Sequence, residues 1–113
     1  MKFVGNLFGQ LEESASEVFE TILETKHLRL ERIVSSGQSI PAGEWYDQDN
    51  DEWVVLLKGS AGLLFEDGKE VIVMKPGDYI YIPAHKRHRV EWTDTSQKTI
   101  WLALHYDEKK TVI

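Results

Sequence analysis

There is no cysteine anywhere in this 113-residue chain, so a disulfide framework and a thiolate nucleophile or metal ligand are both excluded. No apolar run approaches the about 18 residues that a membrane-spanning helix requires. The opening stretch from Met1 to Phe8 carries one charged side chain, and it lacks both the long apolar region and the small-residue cleavage site of a signal peptide. The cytoplasm is therefore the expected location. Basic residues are in the minority, 13 Lys and Arg against 19 Asp and Glu, for a formal net charge of −6. That balance argues against general nucleic-acid binding, which needs a basic face to neutralise phosphates. No serine sits in a nucleophile elbow, so a Ser-His-Asp hydrolase has no support. A Gly-rich phosphate loop, a long linker, an internal repeat and a low-complexity segment are absent as well.

What remains is one soluble-type domain, 42% hydrophobic and 28% charged, large enough for a core and too short for two. Ser14 precedes Glu17 by three residues, as in a capping box, and Val18, Phe19, Ile22 and Leu23 fall on one helical face. The pattern predicts a short amphipathic helix from about Ser14 to Glu24, within an N-terminal extension over residues 1–26. The rest is strand-like, with a barrel expected over 27–113. Leu28 to Val34 partly alternates, and Trp53 to Leu57 is continuously apolar, as a strand covered on both faces would be. Leu63 to Glu66 and Lys69 to Met74 flank Asp67-Gly68, a strong hairpin signal. Pro76-Gly77 supplies a turn of type II chemistry, followed by strands at Tyr79 to Ile82, His88 to Trp92 and Thr99 to Tyr106. Many short strands with regularly spaced turns indicate a sandwich or barrel, and closing the sheet disposes of the exposed edges.

Two spacings stand out. Glu52 and Gly59 enclose six residues as Glu-x6-Gly, and Gly77-x5-Pro83 leads to His88 five residues beyond the proline. Together they resemble the two halves of the cupin signature. From about Glu31 to Tyr106 the chain is similar to small single-domain cupins, including a subgroup with Glu-Trp-Tyr-Asp-Gln-Asp-x-Asp-Glu-Trp in place of the usual histidine pair. Glu44 to Trp53 carry that wording, and Ile82 to Trp92 carry the second half. The resemblance implies an all-β double-stranded β-helix, often a homodimer, with its site inside the barrel. It does not imply a reaction, because one fold serves many chemistries.

In such a site, neutral imidazoles and one carboxylate hold a divalent ion with open coordination positions. His88 stands where the family's last metal-binding histidine falls, and Glu52 where its carboxylate falls. The missing pair maps to Tyr46 and Gln48, or with one more intervening residue to Trp45 and Asp47. Parity along an unbroken strand favours Tyr46 and Gln48, which share the face of Glu52. Gln48, Glu52 and His88 are thus the candidate ligands for a divalent ion such as Zn, Fe, Mn or Ni; some cupins of the phosphomannose isomerase type use a glutamine in this way. Tyr46 and His105 are candidate acid–base or orienting groups. On the last strand Trp101, Ala103 and His105 share one face and Leu102 and Leu104 the other; parity does not decide which face is inner, but if it is the first, small Ala103 leaves room for His105 to reach the cavity.

His85 replaces a residue that is usually glycine, and Trp92 one that is usually asparagine; a structural role is the expectation for His85. The acidic run Asp47 to Asp51 fails the EF-hand pattern, which needs Gly at its sixth position and Glu at its twelfth. Lys86-Arg87-His88-Arg89 reads either as a solvated loop edge or as an anion-attracting rim. The four tryptophans suit core packing or a dimer interface better than a ligand-stacking box. Phe3, Val4, Leu7 and Phe8 exceed what so small a core can absorb, which points to a homodimer. Two functions remain open: a metal-dependent enzyme acting on a small polar metabolite, or a metal-free binding or sensory module.

Overall fold

Side chains of a strand alternate between faces, so a buried row on one face and a half-covered row on the other locate the core. The computed structural model, which describes residues 3–11, 13–41 and 43–107, shows this pattern along its central strands. Among the described residues there are eight strands, β1 (Val18–Glu24), β2 (Leu28–Ser35), β3 (Asp51–Lys58), β4 (Ala61–Phe65), β5 (Ile72–Met74), β6 (Tyr79–Ile82), β7 (His88–Thr93) and β8 (Thr99–Tyr106). One sheet runs β1-β2-β8-β3-β6 and the other β5-β4-β7, with antiparallel pairing throughout. The all-β architecture is the one the turn chemistry implied.

The core lies between the sheets. Val54, Leu56, Ile82, Trp101 and Ala103 from the larger sheet meet Ala61, Leu63 and Met74 from the smaller. On β3 the even-numbered residues Glu52, Val54 and Leu56 are buried, whereas Trp53, Val55 and Leu57 are only half-buried. Both faces of this apolar run are covered, but unequally. The Asp67-Gly68 turn does join paired strands, with the Gly68 N–H donating to Phe65 O. At Lys75 to Asp78 the Asp78 N–H donates to Lys75 O at 2.9 Å, and Gly77 adopts φ 93°, as a type II turn demands.

Gly59 also has positive φ, and a Cβ there would come within 2.8 Å of Thr99 Cα. The signature glycine is therefore required twice over, by conformation and by the close approach of β8.

The segment expected to be a helix is instead strand β1. Val18 to Glu24 pairs with β2 along its length, with a bulge between Thr21 and Leu23. Its Val, Phe, Thr and Ile content suits a pleated edge, and the ladder to β2 satisfies backbone groups that a helix would have satisfied internally. The capping-box residues are used otherwise: Ser14 Oγ accepts from the Ser16 N–H, and Glu17 accepts from the Ser35 hydroxyl at 2.6 Å. The larger sheet thus takes in residues 18–24, which a boundary at residue 26 places outside the barrel. The preceding arm is fastened by Arg32, on the sheet's outer face. Its guanidinium donates to Leu7 O (3.2 Å), Gly9 O (2.6 Å) and Gln10 O (3.4 Å) and pairs with Glu20. Among the described residues no helix is long and apolar enough to cross a membrane.

Candidate functional site

Register brings the site together. Across the β3–β8 ladder, Glu52 opposes His105, Val54 opposes Ala103 and Leu56 opposes Trp101. Paired residues in a ladder point to the same face, so the inner row of β8 is Trp101, Ala103 and His105, all buried. On the other side of β8, Arg29, Glu31 and Ile33 oppose those same three residues. Strand β7 adds His88 and Val90 from the facing sheet. The result is a cavity of about 100 Å³, with an apolar wall of Ile33, Val54, Leu63, Ile82, Val90 and Trp101.

Tyr46, Gln48, Glu52, His88 and His105 all line this cavity. The unbroken strand behind the parity argument is absent, because β3 begins only at Asp51. Tyr46 reaches the site through an isolated bridge to His88, donating N–H to His88 O at 2.7 Å and accepting in return at 3.1 Å. Gln48 is placed by its carbonyl, which accepts from the His85 N–H at 2.8 Å. His85 itself is exposed, with φ 63°, the left-handed conformation that a glycine would take without strain. Its ring pairs with Asp47 at 2.9 Å and faces Asp49 at 3.7 Å, pinning the acidic loop. Its role here is structural.

His88 Nδ1 lies 2.9 Å from Lys86 O. A carbonyl can only accept, so Nδ1 carries the proton and the lone pair of Nε2 is left free. That nitrogen lies 3.8 Å from Glu52 Oε1, too far for a direct hydrogen bond. Burial holds His88 below the usual histidine range and so favours the neutral ring. Glu52 is 6% exposed, and its Oε1 is buried without a hydrogen-bond partner. Burial, assisted by the Glu31 charge, pushes Glu52 up to about 7, against the lowering effects of Arg29 and a hydrogen bond from Gln48. Burial, with the Arg29 charge behind it, also lowers His105, although its Nε2 lies 3.4 Å from Glu31 Oε1. Burial, then the charges of Glu17, Glu52 and Glu44, raise the Tyr46 phenol.

Three further cavity residues escaped the sequence reading: Glu17, Phe19 and Glu31. The first two were masked by the helical pattern. Glu31 lies on a strand whose inward row, Arg29-Glu31-Ile33, reverses the usual apolar-in order. The basic run at 86–89 is spent on local pairs, Lys86 to Asp67 at 2.7 Å, Arg87 to Glu66 at 2.7 Å and Arg89 to Glu91 at 3.0 Å. None of its lysines or arginines lines the cavity. Of the tryptophans, Trp101 is in the core and on the cavity wall, donating Nε1–H to Ser35 Oγ at 3.2 Å.

A divalent transition metal asks for three or four protein donors. Glu52 Oε1 and His88 Nε2 offer two. His105 is turned to Glu31, and among the described residues no three His, Cys, Asp or Glu side chains are gathered to hold one ion. Gln48, whose side chain hydrogen-bonds Glu52, adds a neutral amide oxygen as a third donor, and this set is a poor match to the imidazole-rich coordination that such metals prefer.

Residues 32–105 match the Cupin domain family model, and the chain belongs to that family. It is 48% identical to a Ralstonia eutropha JMP134 protein that bears the provisional name of mannose-6-phosphate isomerase. That match covers 93% of this chain and 98% of that one, at a TM-score of 0.90. A cupin superfamily protein from Desulfitobacterium hafniense DCB-2 is 17% identical over 88% and 84% of the two chains, with a TM-score of 0.72. A cupin from Methanocaldococcus jannaschii with a double-stranded β-helix fold is 18% identical over 93% of each chain, at 0.67. The last two likenesses establish the fold alone. No curated protein matches the chain.

Proposed function

We propose that this cupin takes one small polar molecule into its barrel and holds it between Glu52 and His88 without a resident metal. The observation that carries this reading is the 3.8 Å gap between a partnerless buried carboxyl oxygen and a free imidazole lone pair. Buried polar atoms are rarely left unsatisfied, and a ligand amine or ammonium with two N–H bonds donates to both, while a hydroxyl serves both once Glu52 itself carries a proton. When Glu52 is protonated it donates to a ligand oxygen, and that ligand's own hydroxyl donates to His88 Nε2. Because Glu52 sits near 7 while His88 is held neutral, the pair can also exchange a proton with what it binds, which is the requirement for general acid–base work.

The name carried by the Ralstonia relative suggests a second reading, an aldose–ketose isomerase. The Glu52–His88 pair supports the proton-transfer part of that reading. The three carboxylates in the lining, Glu17, Glu31 and Glu52, with no lysine or arginine among the lining residues, oppose a phosphate inside the barrel. We also propose that the partner of the outer face of β1 is a second copy of this chain, since Ile22 and Leu23 are 44% and 51% exposed there.

The test is a screen of small polar molecules by heteronuclear NMR, read at the Trp101 indole N–H and at the His88 and His105 rings. Ligands should perturb these signals together, and Glu52→Ala with His88→Ala should abolish the effect. If no small molecule of any charge class perturbs them, the binding function is wrong.

A further inference from the structure

The charge of the cavity narrows its ligand further. Three carboxylates line it, and the rings of Phe19, Tyr46 and Trp101 stand among them. Not one lysine or arginine is in the lining. Arg29 stands outside the lining, with its Nε 3.7 Å from Glu31 Oε2, and its charge also acts on Glu52 without offsetting the burial of that carboxyl, so one cation faces three carboxylates. Glu17 accepts only from a neutral group, the Ser35 hydroxyl, which in turn accepts from Trp101 Nε1–H. Glu52 is 6% exposed, lines the cavity and has an oxygen with no partner at all. Both histidines are held toward the neutral state by burial, so neither supplies the missing positive charge.

An apolar wall that carries three carboxylates and three aromatic side chains, with no lysine or arginine among its residues, is the complement of a small organic cation. The ring quadrupole attracts positive charge, and an opposite charge is what a buried carboxylate lacks when its ionised form is disfavoured. On the reading that the cavity binds one small molecule, we propose that this molecule is an organic cation, an amine or quaternary ammonium, seated between Glu52 and the rings of Phe19, Tyr46 and Trp101. An N–H or hydroxyl on that ligand would donate to Glu52 Oε1 or to His88 Nε2. Anionic metabolites, sugar phosphates among them, would be turned away by Glu17 and Glu31.

Matched probes separate charge from shape. Choline is compared with 3,3-dimethylbutan-1-ol, its uncharged isostere, and ethanolamine with ethylene glycol. Glycolate and mannose 6-phosphate serve as the anionic arm. Each is titrated into the full chain while the Trp101 indole and His88 ring signals are followed. The expected result is at least tenfold tighter binding of the cation in each pair. Glu52→Gln should lower cation affinity at least tenfold while changing that of the uncharged isostere less than threefold. A second variant, Phe19→Leu, keeps the wall apolar and should weaken choline severalfold. Equal affinity within each pair, or tighter binding of either anion, overturns the cation assignment while leaving small-molecule binding intact. Cation binding that leaves the Trp101 and His88 signals unmoved would overturn it as well. Absence of binding by every probe overturns the cation assignment, and the broader NMR screen then decides whether the cavity binds anything.

Discussion

Replacing Glu52 by glutamine should make the protein more stable, and the gain should depend on pH. An ordinary glutamate titrates at 4.5, whereas burial and the Glu31 charge carry Glu52 to about 7. Between those values the folded chain keeps a proton that the unfolded chain releases. The unfolded state then binds fewer protons, so stability falls as pH rises, by about 1.4 kcal/mol per pH unit. Above the folded value the accumulated loss is about 3 kcal/mol. Glutamine keeps the shape and the hydrogen-bonding capacity toward Gln48 but cannot ionise, so it avoids this loss. His88 and His105 act in the opposite sense. Their lowered values mean that they favour folding above 6.5, the ordinary histidine value, and that this contribution is lost as pH falls below it. The wild-type profile therefore mixes both signs, and the informative quantity is the difference between variant and wild type.

Urea unfolding of both proteins from about pH 5 to about pH 8 provides that difference. The two should be nearly equal at the acid end and diverge by about 3 kcal/mol at the alkaline end. In thermal melts the same divergence exceeds about 10 °C for a domain of this size. A difference that does not vary with pH would refute the reasoning, as would a Glu52 carboxyl carbon titrating in NMR with an ordinary glutamate midpoint.

Other outcomes follow from single features of the structure. Gly59→Ala should cost about 2–3 kcal/mol by urea unfolding, because it combines positive φ with a Cβ pressed against Thr99. Arg32→Met should cost about 2–3 kcal/mol and speed hydrogen exchange in residues 3–11, since three arm carbonyls lose their donor; Glu20→Gln, at the exposed partner, should cost under about 1 kcal/mol. Gln48→His should raise Ni²⁺ or Zn²⁺ affinity at least tenfold over wild type in calorimetry of untagged protein, by adding an imidazole to Glu52 and His88, and a further Glu52→Ala should cancel the gain. Light scattering should give the mass of a dimer, and Ile22→Glu with Leu23→Lys should return the monomer.

The later strands and the Asp67-Gly68 and Lys75–Asp78 turns were legible because turn chemistry and period-2 alternation are local; which face of β8 is inner was not, and its register against β3 decides it. The N-terminal segment was not. Val18, Phe19, Ile22 and Leu23 satisfy a helical period as well as they satisfy an edge strand with a bulge, and only the ladder to β2 decides between them. Tyr46 and Gln48 were placed correctly on a partly mistaken ground. They reach the cavity through hydrogen bonds to His88 and His85 rather than as part of one strand with Glu52. Glu31 was out of reach altogether, because reading charged residues as inward-facing needs the register of β2 against β8.

That register changes what the retained signature residues mean. Glu52 and His88 stand where the cupin resemblance implies a carboxylate and an imidazole for a divalent ion. With a phenol and an amide at Tyr46 and Gln48 the cavity is poor in imidazole, yet Glu52 keeps a buried oxygen without a partner and β2 sets a second carboxylate, Glu31, beside it. A cluster of this kind is tolerable only if protons or a positive ligand neutralise it. Protonation near neutral pH meets that need in the free protein, as the raised value of Glu52 records. An organic cation meets it in the bound one, and the aromatic rings of Phe19, Tyr46 and Trp101 supply contacts that a hydrated metal ion could not use. The charge demand that a proton meets in the free protein is thus the same one that an organic cation answers on binding.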